Sequence, residues 1–227
     1  MTSLVDKILA VHHSLQSAHI DHAFGGALAL AYCTRQPRAT SDIDLNIFIP
    51  PEKAGAALAA LPFQNTDGKG TERAIERDGQ ARLWWDDTPV DVFFSYHPFH
   101  DRASRRTHVV PFGADSIPIL DCTDLAVFKA LFARTKDWAD VEAMAEAGSV
   151  DGDDALRTVV DLLGADDPVL GALRAALAAK VSIDDAASER LRQALGAPSA
   201  TSAGCAKWMP VAGRKCRRPA GHRGQCR

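Results

Sequence analysis

Residues 41–49, Ser-Asp-Ile-Asp-Leu-Asn-Ile-Phe-Ile, constrain this chain more than any other stretch. They are rich in β-branched residues, alternate with a period of two and are closed by Pro50-Pro51. That pattern reads as a strand. Side chains on a strand alternate between faces, so Asp42 and Asp44 share one face while Ile43, Leu45 and Ile47 enter the core from the other. Two like charges held so close are costly unless a cation or a basic group lies between them. Mg2+ suits such a pair, because it prefers oxygen ligands and often takes one or two carboxylates plus substrate phosphates. Asp91 lies in a second strand-like run, Pro89-Val90-Asp91-Val92-Phe93-Phe94. If that strand lies beside the first, three carboxylates converge, a set able to hold two metal ions for an in-line displacement at phosphorus.

The surroundings of this strand predict a mixed α/β half followed by a helical half. Apolar residues at Leu4, Val5, Ile8, Leu9, Val11 and Leu15 recur at helical spacing. Residues 19–24 then read as a strand, Gly25-Gly26 as a turn and the Ala/Leu-rich residues 27–31 as a helix. Glycines at a helix entry let backbone amides approach a phosphate closely, and the helix N-terminus favours its charge. Residues 53–61 are Ala-rich and helical. Residues 71–76, 81–85 and 90–94 read as strands separated by turn-like Asp78-Gly79 and Asp86-Asp87-Thr88-Pro89, giving an antiparallel extension of the sheet. Helical patterns cover residues 123–135, 138–147, 153–163, 168–180 and 183–195.

Four regions follow: an α/β core (residues 1–118), a helical subdomain (119–196), a linker (197–204) and a Cys/His tail (205–227). With 227 residues, 46% of them apolar, the chain is no disordered polymer. It has no apolar run long enough for a membrane helix and no secretory leader pattern, so a cytoplasmic protein with no membrane partner is expected. The absence of a Gly-x-x-x-x-Gly-Lys-Ser loop and of a Gly-x-Ser-x-Gly elbow argues against a P-loop ATPase and an α/β-hydrolase. Cys33 and Cys122 are isolated in the sequence and read as small buried apolar residues. His12, His13, His19, His22, His97 and His100 read as structural or surface residues. Trp84-Trp85 places one indole on each face of a strand, so one is expected at the surface.

The tail differs in charge from the body. Residues from Ala197 onward carry seven Lys and Arg and no acid, against a whole-chain net charge of −3. Cys205, Cys216, His222 and Cys226 are soft ligands suited to a closed tetrahedral Zn2+ site, and zinc would supply most of the folding free energy of so short a segment. The basic residues around them suit a phosphate backbone, with Trp208 as a stacking surface.

Three runs together carry a family resemblance: Phe24-Gly25-Gly26-Ala27-Leu28, then Arg38-Ala39-Thr40-Ser41-Asp42-Ile43-Asp44, then Val90-Asp91-Val92. They resemble the signature of the DNA polymerase β-like nucleotidyltransferase superfamily, with the closest likeness to its AbiEii and MenT type toxin members. The likeness extends through Lys129 in residues 124–131 to Asp137 and Asp140 in residues 134–141. It implies a nucleotidyltransferase fold: a mixed sheet, a helical C-terminal half and a small Cys/His tail. The activity it implies is Mg2+-dependent transfer of a nucleoside monophosphate from an NTP to an acceptor hydroxyl, such as a tRNA 3′ end or other RNA. A cognate antitoxin would be a partner. By resemblance Asp42, Asp44 and Asp91 bind metal, and Lys129 acts with them at the phosphates. Gly25 and Gly26 line the triphosphate, with Arg38, Thr40, Ser41, Asp137 and Asp140 also at the nucleotide. The common Gly-Ser of the superfamily is Gly25-Gly26 here, so no serine hydroxyl is available. Two other functions are compatible with these residues: nucleotidyl transfer to a small molecule such as an aminoglycoside, and a catalytically silent module that binds nucleic acid or protein.

Overall fold

The computed structural model describes residues 2–64 and 68–178. The described residues belong to one compact unit. The helix expected at residues 183–195, the linker and the tail with Cys205, Cys216, His222 and Cys226 lie outside the described residues.

Helix α1 (Leu4–Ser17) is capped by Ser3, whose hydroxyl accepts the Asp6 amide, and it buries Ile8, Val11 and Leu15. Strand β1 (His22–Phe24) runs through Gly25 into α2 (Gly26–Thr34), the predicted strand, turn and helix. Strand β2 (Ile43–Ile47) follows, with Ile43, Leu45 and Ile47 fully buried as the alternation requires. Next come α3 (Ala54–Ala60), α4 (Gly68–Asp78), β3 (Gln80–Trp85) and β4 (Thr88–Phe94). Helix α5 (Pro98–Arg105) and the hairpin β5 (His108–Phe112) and β6 (Asp115–Ile119) lead to the helical half: α6 (Cys122–Phe132), α7 (Thr135–Glu146), α8 (Gly152–Leu163) and α9 (Val169–Ala178). A mixed α/β half followed by helices is the layout the sequence predicts.

The six strands form one sheet in the order β3-β4-β2-β1-β6-β5. The β2/β4 and β1/β6 pairs are parallel and the others antiparallel. Helix α6 packs against α2, α7 and α8, so the helical half is joined to the sheet through the helix that follows the glycine turn.

Two sequence expectations need correction. Residues 71–76 are not a strand but part of α4, because Glu72, Arg73, Ala74, Glu76 and Arg77 are good helix formers and Ile75 alone is buried among them. Gly79, with φ of +69°, ends that helix by donating its amide to the Ile75 carbonyl at 2.7 Å, so Asp78-Gly79 marks a helix end and not a hairpin. Cys33 and Cys122 are not isolated thiols. They form a disulfide across 89 positions, joining the end of α2 to the start of α6. Among the described residues no helix is long and apolar enough to cross a membrane.

Candidate active site

The register of the sheet brings the acidic residues together. On the β1 side, Phe24 pairs with Leu45 and the Gly25 amide donates to the Asp44 carbonyl at 2.9 Å, so the glycine turn lands beside Asp44. Gly26, the first residue of α2, has φ of +48°, and a Cβ there would overlap the Asp44 carboxylate. On the β4 side, Asp44 and Asp91 are direct partners on parallel strands. One strand further out, Arg82 pairs with Asp91 and grips it with a two-pronged fork: Nε donates to Oδ1 and Nη2 to Oδ2, each at 2.7 Å.

The opposite wall comes from α6 and α7. The buried Lys129 ammonium on α6 donates to Asp140 at 2.6 Å and to Asp137 at 3.3 Å. Asp137 is fully buried and also accepts the Arg134 guanidinium, at 2.7 Å through Nε, and the Arg134 amide, which caps α7. Arg38, from the loop before β2, donates to the other oxygen of Asp140 at 2.5 Å. Thr40 donates its hydroxyl to the Asp42 carboxylate.

These walls enclose an open cleft of about 500 Å³. Gly26, Arg38, Thr40, Ser41 and Asp42 line it, as do Asp44, Asp91, Lys129 and Asp140. Gly25 and Asp137 line a smaller adjoining cavity of about 50 Å³ that shares Gly26, Asp44 and Lys129. A second open recess, of about 640 Å³, shares Asp44, Arg82, Asp91 and Arg134 with the main cleft and adds Thr71, Gln80, Phe93 and Phe132. Asp91 therefore borders two spaces and Asp44 all three.

No protein-family model matches the chain, and no curated protein sequence matches it significantly. Solved structures do show likeness. An antigenic nucleotidyltransferase-like protein from Paracoccidioides brasiliensis is 17% identical, over 77% of this chain and 92% of that one, with a TM-score of 0.39. The antibiotic-resistance factor ANT(2'')-Ia in solution is 15% identical over 84% and 97% of the two chains, with a TM-score of 0.39. The same factor in complex with adenylyl-2"-tobramycin is 13% identical over 77% and 98%, with a TM-score of 0.43. At such TM-scores these likenesses decide nothing, and the functional reading rests on the residues of the cleft.

The charges of the cleft are unevenly matched. Burial pushes the Asp44 carboxyl up to about 6, the nearby Asp42 and Asp91 charges push in the same direction, and Lys129 and Lys136 only partly offset them. Asp137 goes the other way: burial would raise it, but the Arg134 hydrogen bond and the Lys129 charge hold it below the usual carboxylate value. Hydrogen bonds to Asp91 push the Arg82 guanidinium further up.

Among the described residues, no three His, Cys, Asp or Glu side chains gather closely enough to hold a metal ion. The register pairs Asp44 with Asp91, and Asp42, just before β2, lines the same cleft, but Arg82 occupies both oxygens of Asp91 and leaves two carboxylates without an arginine partner among the described residues. Asp42 and Asp44 do fit a divalent cation. They are hard oxygen donors lining one cleft, and a cation there would offset the burial and the neighbouring acidic charges that disfavour the Asp44 carboxylate.

Three cleft residues escaped the sequence reading as site residues: Arg82, Arg134 and Lys136. Lys136 makes no ion pair among the described residues, whereas Arg38, Arg82, Lys129 and Arg134 each hold a carboxylate. The signal for Arg82 was the hairpin register. A two-residue turn at Asp86-Asp87 sets Trp85 opposite Thr88 and hence Arg82 opposite Asp91, whereas a four-residue turn would have set it opposite Phe93.

Proposed function

We propose that the protein is a nucleotidyltransferase that moves a nucleoside monophosphate from an NTP onto an acceptor hydroxyl. The observation that carries this reading is the pairing of Asp44 with Asp91 on two parallel strands, with Asp42 just before the first, all three lining the main cleft and the Gly26 backbone against Asp44. The triphosphate lies in the 500 Å³ cleft, where the N-terminus of α2 and the Lys136 ammonium face its negative charge. Lys129 is positioned by Asp137 and Asp140 and adds a positive charge at the cleft wall. Asp42 and Asp44 would hold Mg2+, which when bound supplies positive charge to the phosphates and to the departing pyrophosphate. The acceptor oxygen bonds to the α-phosphorus as the α–β bridging bond breaks and pyrophosphate leaves, and the hydroxyl proton passes to a cleft carboxylate.

An RNA 3′ end, including that of tRNA, is the proposed acceptor, in keeping with the toxin-type members that the sequence resembles. A cognate antitoxin partner and a structural Zn2+ in the tail belong to the same proposal. The second recess favours one further reading. Its volume suits a small molecule, and Phe93 and Phe132 beside Thr71 and Gln80 offer both faces and hydrogen bonds to a sugar-like acceptor such as an aminoglycoside. Incubation with each α-labelled NTP, Mg2+ and either total tRNA or an aminoglycoside panel tests the two together. Label in RNA supports the first reading and label in the small molecule the second; label in neither contradicts both.

A further inference from the structure

We propose that Arg82 is a latch on Asp91: in the nucleotide-free protein it keeps this carboxylate out of the cation site, and the nucleotide's phosphates draw it away. Cation binding and nucleotide binding are thereby coupled. The proposal rests on the reading of the main cleft as a nucleotide site.

The fork of Arg82 takes both oxygens of Asp91, leaving that residue with no oxygen free of an ion pair. The same planar fork fits a phosphate as well as a carboxylate, so an incoming triphosphate offers Arg82 an equivalent partner. Arg82 can change partners more easily than the buried Lys129. It stands on the edge strand β3 with its side chain 55% exposed and Asp91 as its sole ion-pair partner among the described residues. Lys129, by contrast, is buried between two acids of α7. Arg82 also lines both the main cleft and the second recess, so it can leave Asp91 without leaving the site.

Charge completes the argument. With the latch closed, Asp42 and Asp44 present two negative charges to a cation, and release of Asp91 adds a third. A divalent cation therefore binds more tightly to the open form, and a ligand that favours that form tightens cation binding by the same factor as the cation tightens its own.

Mn2+ titration followed by electron paramagnetic resonance tests this without any turnover, in the wild type, Arg82→Ala, Arg82→Lys and Asp44→Asn, each checked for folding by circular dichroism. The four α,β-methylene NTP analogues serve as nucleotide. In the wild type, Mn2+ binds weakly alone and about fivefold or more tighter with the analogues. Arg82→Ala binds Mn2+ alone about fivefold to tenfold tighter than the wild type and loses most of the enhancement by nucleotide. Arg82→Lys, a point charge without the fork, falls between them. Unchanged or weaker Mn2+ binding in Arg82→Ala overturns the latch. If Asp44→Asn nonetheless abolishes binding, the cation site stands without it. No Mn2+ binding in any variant, with or without nucleotide, overturns both the latch and the cation site.

Discussion

Gly26 stands against Asp44 with no space for a side chain, because its backbone adopts φ of +48° and a Cβ would overlap the carboxylate. The second glycine of the turn is thus demanded by this backbone, and the serine common in the superfamily that the sequence resembles does not fit it. Gly26→Ala and Gly26→Ser are expected to lose nucleotide binding, as measured by titration with the methylene analogues. They should also be less stable by more than the roughly 1–2 kcal/mol of a left-handed side chain. Gly148→Ala isolates that last cost, since Gly148 has φ of +67° and nothing within 4 Å of its Cβ position. Normal nucleotide binding in Gly26→Ser would contradict the account.

The Cys33–Cys122 disulfide closes a loop of 89 positions between two helices that both reach the cleft. Loop-closure entropy predicts that removing it costs about 4.6 kcal/mol, or roughly 10–18 °C in the melting temperature of a body this size. Thermal unfolding with and without reductant, and of Cys33→Ala/Cys122→Ala, checks this. Equal melting temperatures would mean that the bridge contributes nothing.

His12 on α1 and His22 on β1 share a hydrogen bond of 2.9 Å. With both rings neutral, as their lowered pKa values favour, the His22 Nδ1–H donates to the Ile20 carbonyl at 2.8 Å and its Nε2 accepts from the His12 Nδ1–H. Burial lowers both pKa values; the His13 charge adds to this at His12 and Asp115 opposes it, while at His22 the hydrogen bond to the Ile20 carbonyl is the main opposing effect. Folded values below the unfolded 6.5 mean that the pair's stability is fully present above about pH 6.5 and is lost as pH falls through the lowered values. The melting temperature should therefore drop between pH 7.5 and 5, and His12→Gln, which keeps a donor to His22, should show a smaller drop. An identical drop would rule the pair out as its source.

The acidic triad was legible because it depends only on a two-residue period and on one assumption, that β4 lies beside β2. Arg82 was not, because its place opposite Asp91 depends on the length of a turn that Asp86-Asp87-Thr88-Pro89 leaves open. Helix α4 was misread for a related reason: Asp-Gly marks both hairpins and helix ends, and only the Ile75 carbonyl bonded to Gly79 decides between them. The hairpin β5–β6 carries Pro111 and Pro118, which weaken any strand signal, and Pro111 is tolerated because β5 lies at the sheet edge. The pairing of Cys33 with Cys122 is tertiary in origin. Nothing local in a chain reports that residues 89 positions apart will meet.

The central claim is that Asp42 and Asp44 hold the cation for nucleotidyl transfer. The most direct measurement follows label from each of the four α-labelled NTPs into the acceptor fraction, comparing the wild type with the folded double variant Asp42→Asn/Asp44→Asn. The account predicts Mg2+-dependent transfer by the wild type and a loss of at least about a hundredfold in the variant. Transfer that persists in the double variant, or a wild type that transfers nothing to RNA or to small acceptors, would contradict it.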